Sequence, residues 1–124
     1  MQRDMDLIRQ IALSTAQLKH NEVLNSLEGI DEHTFAMHAQ WMAEAGLVHA
    51  TLSPQDSKAP AKFAAVWRLT WSGCEFADAA RSDTTWNKAK ANVIKPGMSF
   101  TFDVLKDWLK TEITQGLPTL RQLA

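Results

Sequence analysis

The residues able to do chemistry in this chain are few: four histidines, at positions 20, 33, 38 and 49, and one cysteine, Cys74. A metal site needs its ligands on one face or in one loop. His33 and His38 stand five apart, which on a helix separates them by about 140°. No second cluster of histidine, cysteine or carboxylate lies at ligand spacing, so no metal is expected. His38 reads as a core-edge histidine with one hydrogen-bonded nitrogen. Cys74 falls near a helix start, where a thiol can be activated, but as a nucleophile it would need a base supplied by the fold. A buried structural thiol is the expectation. Glu75 and Asp78 share a helix face and read as a solvated pair. Neither a phosphate-cradling glycine loop nor a G-x-S-x-G elbow is present. The reading is therefore non-enzymatic, with no cofactor.

Composition bounds the partners. A chain of 124 residues with 45% hydrophobic and 22% charged residues can bury its own core and is too apolar for disorder. Thirteen basic residues against 14 acidic ones give a net charge of −1, without the basic excess usual in proteins that grip phosphates. A lone cysteine excludes an internal disulfide and fits a reducing compartment. Asp4, Asp6, Arg9 and Gln10 break the first apolar stretch, which is neither a signal peptide nor a membrane span. The expectation is a cytoplasmic protein starting close to its natural Met1. Five tryptophans, at 41, 67, 71, 86 and 108, are expected mostly to anchor the core or an oligomer interface.

These residues are positioned by a predicted series of short elements. A helix over residues 4 to about 18 starts at Asp4 as N-cap, with Met5, Ile8, Ile11, Ala12 and Thr15 on one stripe. A short extended piece follows over residues 23–27. The second helix starts at Asp31, with Ile30 and Phe35 as a hydrophobic staple, and ends at Gly46. Strands over 47–52 and 63–69 flank a polar loop over 53–60. Thr70 caps a third helix, Ser82 or Asp83 starts a fourth through Trp86 to about Ile94, and Pro96-Gly97 is a break. A last helix covers about 102–115, ended by Gly116 and Pro118. The predicted class is α+β, mostly helical: a winged-helix-like core with a β-hairpin wing and additional C-terminal helices. Residues 1–95 form that core, and 96–124 a C-terminal helix packed on the same single domain.

Three stretches also resemble a known family. They are the opening M-Q-R-D-M-D-L-I-R, the phrase H-A-Q-W-M-A-E-A-G-L-V from His38 to Val48, and R-L-T-W-S-G-C-E-F-A-D-A-A-R-S-D-T-T-W-N-K-A-K from Arg68 to Lys90. In this order and spacing the chain, from Met1 to about Leu109, is similar to the bacterial and phage family called domain of unknown function 2513. The resemblance implies occurrence in bacterial genomes and prophages, but no activity or site residues. Ala39, Ala43 and Cys74 depart from the family's usual residues and bear on packing.

In a winged helix the 31–45 segment would be the recognition helix, with His33, Thr34, Met37, Gln40 and Trp41 turned outward. Gln40 and Thr34 could then read base edges, and Met37 a thymine methyl. Yet this helix carries Asp31, Glu32 and Glu44 and no lysine or arginine, so it would meet a phosphate backbone with like charge. Lys58 and Lys62 in the wing, with Lys19 and Arg68, supply a modest positive rim. Met37 and Trp41, four apart, form a helical-face pair of the kind that anchors protein interfaces. The charge balance favours an accessory protein that binds a host or phage protein and modulates host machinery or defence. The alternative is a winged-helix transcriptional regulator that binds DNA as a dimer. Phe102, Leu105, Trp108 and Leu109 carry more apolar surface than a peripheral helix needs and are expected at a homodimer interface.

Overall fold

Helices begin here where a side chain can satisfy orphan backbone donors. The computed structural model describes residues 1–56, 58–94 and 101–116, with residues 115 and 116 as backbone only. Over them the chain runs α1 (Met5–Ala16), α2 (Glu32–Glu44), β1 (Val48–Ser53), β2 (Phe63–Leu69), α3 (Trp71–Ala80), α4 (Asp83–Asn92) and α5 (Phe102–Gly116). Asp4 caps α1 by accepting from the N–H groups of Asp6 and Leu7. Asp31 does the same for α2 at His33 and Thr34. Thr70 Oγ1 accepts from the Gly73 N–H at 3.0 Å, and Ser82 caps α4 through the Thr85 N–H. The expected break at Pro96-Gly97, Pro118 and the chain end over 119–124 lie outside the described residues.

Gly46 ends α2 with φ at +76°, a left-handed conformation that a residue lacking Cβ adopts freely. Its N–H donates to the Ala43 carbonyl at 3.1 Å, and the Leu47 N–H donates to Met42 at 2.9 Å. These are the paired bonds of a Schellman motif, and they turn the chain directly into β1.

β1 and β2 form an antiparallel hairpin, with Val48 opposite Leu69 and Ser53 opposite Phe63. The register slips once: His49 pairs with Arg68 but Ala50 pairs with Val66, leaving Trp67 as an extra residue. Such a bulge turns two successive side chains to the same side. Trp67 and Arg68 are accordingly both exposed, while Val66 and Leu69 around them are buried. The extended piece expected over 23–27 is reduced to one antiparallel bridge, Leu24 to Val66. Both of its backbone bonds form, at 2.9 and 2.8 Å.

Contacts divide the chain into two compact units, Met1–Ala77 and Asp78–Ala124. The division falls within α3, and α4 groups with α5. In the first unit the core comes from Met5, Leu7, Ile8, Ile11 and Ala12 of α1, Phe35, Ala36, Ala39 and Met42 of α2, and Val48, Val66 and Leu69 of the hairpin. The start of α3 closes on the α2–β1 turn. The Thr70 N–H donates to the Leu47 carbonyl at 2.9 Å, and Thr70 Oγ1 donates to that of Gly46. A Cβ at Gly73 would collide with the Leu47 carbonyl oxygen, so glycine is required for this approach.

In the second unit α4 and α5 pack on each other, and Trp86 and Ala89 of one helix and Leu105 and Leu109 of the other are buried. This corrects the expected oligomer surface. Leu105 and Leu109 lie one helical turn apart on a stripe fully buried in the chain itself, and neither is available to a second copy. Phe102 and Trp108 are half-buried. The apolar residues that α5 does expose are Val104 and Ile113. The fold is thus α+β, with five helices and one two-stranded hairpin among the described residues. No helix among those residues is long and apolar enough to cross a membrane.

Candidate functional site

The α2 surface is smaller than its sequence pattern suggests. His33 is exposed, whereas Thr34, Met37 and Trp41 are half-buried. Gln40, expected outward, is 3% exposed. Its Nε2 donates to the Ala59 carbonyl at 3.0 Å, and its Oε1 accepts from the buried Ala61 N–H at 2.8 Å. Both ends of the amide are committed to the hairpin loop, so Gln40 reads nothing outside the chain. The physical reason is a buried backbone segment, next to Pro60, that needs a side-chain partner. Lys58 and Lys62, on either side of that clamped segment, are exposed as expected.

His38 is buried, and both ring nitrogens are engaged rather than one. The Asp4 N–H donates to Nε2 at 2.9 Å, and Nδ1 lies 2.8 Å from the Thr34 carbonyl. An amide N–H can only donate and a carbonyl only accept, which fixes the neutral ring with its proton on Nδ1. Trp41 sets its ring edge-on to His38, with centroids 5.1 Å apart. This histidine is a tie between α1 and α2.

Large apolar groups are exposed elsewhere in the first unit. Phe63 is 50% exposed, Trp67 53% and Trp71 82%. Trp67 is held in place by its Nε1–H, which donates to Thr51 Oγ1 at 2.7 Å across the hairpin. Beside Trp67 opens a groove of about 580 Å³ between the end of α1, the turn that follows it, the end of β2 and Cys74. Lys19, His20 and Arg68 line it, with Glu22 as the carboxylate among them. Glu22 Oε1 accepts from the Lys19 N–H at 2.7 Å, and the Arg68 guanidinium donates to the Leu69 carbonyl at 3.1 Å.

Cys74 is exposed, not buried. It lies beside the buried Gly73 in α3, on the helix face that Glu75 and Asp78 also leave to solvent. Asp78 pairs with Arg81 at 2.8 Å on the solvent side, and Glu75 is exposed. Among the described residues no three histidine, cysteine, aspartate or glutamate side chains are grouped to hold a metal ion.

Residues 2–99 match the family described as "Hypothetical protein (DUF2513)". The chain belongs to the DUF2513 family. It is also 31% identical over 121 residues to an uncharacterized protein of Haemophilus influenzae, an alignment covering 94% of this chain and 99% of that one. No solved structure matches.

The expected site and the exposed aromatic surface of this DUF2513 chain only partly coincide. Of the five tryptophans, Trp86 is the one fully buried; Trp41 and Trp108 are half-buried, and Trp67 and Trp71 face outward. A signal for Trp71 was present in the sequence. Gly73, Phe76, Ala77 and Ala80 form the inward i, i+3, i+4, i+7 stripe of α3, and Trp71 falls on the opposite side. Trp67 gives no such signal, because a strict two-residue period cannot anticipate a bulge.

Proposed function

We propose that this DUF2513 protein is a non-enzymatic accessory protein that binds a protein partner through its first unit, with the hairpin as the wing of a winged-helix domain. The winged-helix reading is supported by the order Leu24, β2, β1, in which the bridge residue lies beside the second hairpin strand. It is supported too by α2 running straight into the hairpin through Gly46.

One observation carries the choice of partner. Phe63, Trp67 and Trp71 are each at least half-exposed within nine residues of chain, and exposed aromatics are the residues that anchor protein interfaces. The base-reading alternative is weakened, since Gln40 is spent on the loop and α2 bears Asp31, Glu32 and Glu44 without a cation. A phage or prophage setting fits a modulator of host machinery or defence.

The experiment is affinity capture from the native host, with and without nuclease, comparing the unaltered chain with Trp71→Ala. Nuclease-resistant capture that Trp71→Ala abolishes is the expected result. Binding to random duplex at low salt, falling steeply as salt rises, would replace this reading with DNA binding through Lys58, Lys62 and Arg68.

A further inference from the structure

We infer that the groove between the end of α1 and β2 is the docking slot for an acidic peptide segment of the protein partner, an inference that rests on the protein-binding function proposed above. Its volume of about 580 Å³ lies within the range of sites that hold a ligand's bulk. Its chemistry is asymmetric. Lys19 and Arg68 bring cationic groups to it from two different elements, the turn after α1 and the end of β2. Glu22 is the one carboxylate among the lining residues, and its Oε1 already accepts from the Lys19 N–H at 2.7 Å, which commits it to the local turn. The Arg68 guanidinium donates in the same way to the Leu69 carbonyl at 3.1 Å, and two cations against one carboxylate leave the groove net positive.

Trp67 supplies the apolar wall. Its ring is fixed by the 2.7 Å bond from Nε1 to Thr51 Oγ1, and the bulge puts it on the same side as Arg68. A pre-positioned aromatic ring beside a guanidinium matches a carboxylate followed by an apolar side chain. The carboxylate takes charge-assisted bonds from Arg68 and Lys19, and the apolar side chain covers the indole. A nucleic-acid strand is a poorer match. It brings one phosphate per nucleotide and needs a continuous run of cations, whereas here two cations flank a carboxylate.

The test uses the full chain, ¹⁵N-labelled and titrated in separate samples with a short Glu- and Leu-containing peptide, its Lys-for-Glu counterpart, and a single-stranded oligonucleotide. With the acidic peptide, the Trp67 indole N–H and the backbone amides of Lys19 and Arg68 shift saturably. Reversing both charges, Lys19→Glu with Arg68→Glu, weakens that binding roughly tenfold or more, the scale of two lost exposed ion pairs. Lys58→Glu with Lys62→Glu leaves it unchanged. Both pairs of side chains are on the surface, and an unaltered amide spectrum away from the groove checks that each variant is folded. No shift at Trp67 with the acidic peptide, or a saturable shift with the oligonucleotide alone, overturns the slot. If the slot fails while Trp71→Ala still abolishes nuclease-resistant capture, the protein-binding function stands and only its address in the groove is lost.

Discussion

The backbone N–H of Asp4 donates to Nε2 of His38 at 2.9 Å, across 34 residues of chain. Asp4 is also the cap of α1, its carboxylate serving the first turn while its own amide reaches α2. One residue thereby sets where α1 begins and what it leans on. Replacing His38 by leucine keeps the volume but strands a part-buried N–H. We expect a loss of about 1–3 kcal/mol, the desolvation penalty of an unmet donor, read as a lower urea midpoint with unchanged slope. Long-range ¹H–¹⁵N correlation of the imidazole should show the proton on Nδ1. A proton found on Nε2 would contradict the geometry.

Gln40 gives a sharper discrimination, because its two contacts need opposite roles. Gln40→Glu keeps an acceptor for the Ala61 N–H but places a carboxylate oxygen against the Ala59 carbonyl. It should destabilise at neutral pH at least as much as Gln40→Leu, each by about 1–3 kcal/mol. Amide exchange at Ala61 should accelerate in Gln40→Leu, which removes its acceptor. If Gln40→Glu were as stable as the unaltered chain, the amide would not be working as a donor.

Gly73→Ala tests the approach of α3 to the α2–β1 turn. The added methyl meets a backbone oxygen that cannot rotate away, so the usual gain of alanine over glycine in a helix is reversed. A loss of about 1–3 kcal/mol is expected, the range for overpacking. Thermal unfolding measures it, and a raised Tm would contradict the contact.

The tryptophans separate surface from core. Trp71→Ala, at 82% exposure, should change stability by no more than about 0.5 kcal/mol. Trp86→Ala removes a ring that is 2% exposed and should cost about 3–5 kcal/mol. Denaturant titration of each variant, followed by far-UV circular dichroism, distinguishes them. A large loss from Trp71→Ala would mean that the ring supports the fold rather than a partner.

What could be read from the sequence was local. Asp4, Asp31, Thr70 and Ser82 announce helix starts because a cap acts on amides two or three residues away, and Gly46 announces an end for the same reason. β2 was legible to the residue from its apolar content and flanking loop. The burial of Gln40 was not, because its partners Ala59 and Ala61 lie 19 and 21 residues on, and no helical period encodes a polar group turned inward. Leu105 and Leu109 read as an apolar stripe correctly, but a stripe does not say whether α4 or another molecule covers it. The groove beside Trp67 escaped the sequence for a related reason. Its walls come from residues 15–22 and 67–74, which only the folded chain brings together.

The bridge between Leu24 and Val66 also constrains the order of events during synthesis. Leu24 emerges early from a ribosome, yet its backbone partner lies in β2, and Gln40 likewise waits for Ala61. Loop closure over such separations must precede the contacts that reward it, which slows folding relative to a bundle of neighbouring helices. A nascent chain halted before residue 63 would therefore lack Val66 and Leu69, and the core that α1 and α2 share with the hairpin is complete only once β2 has been made.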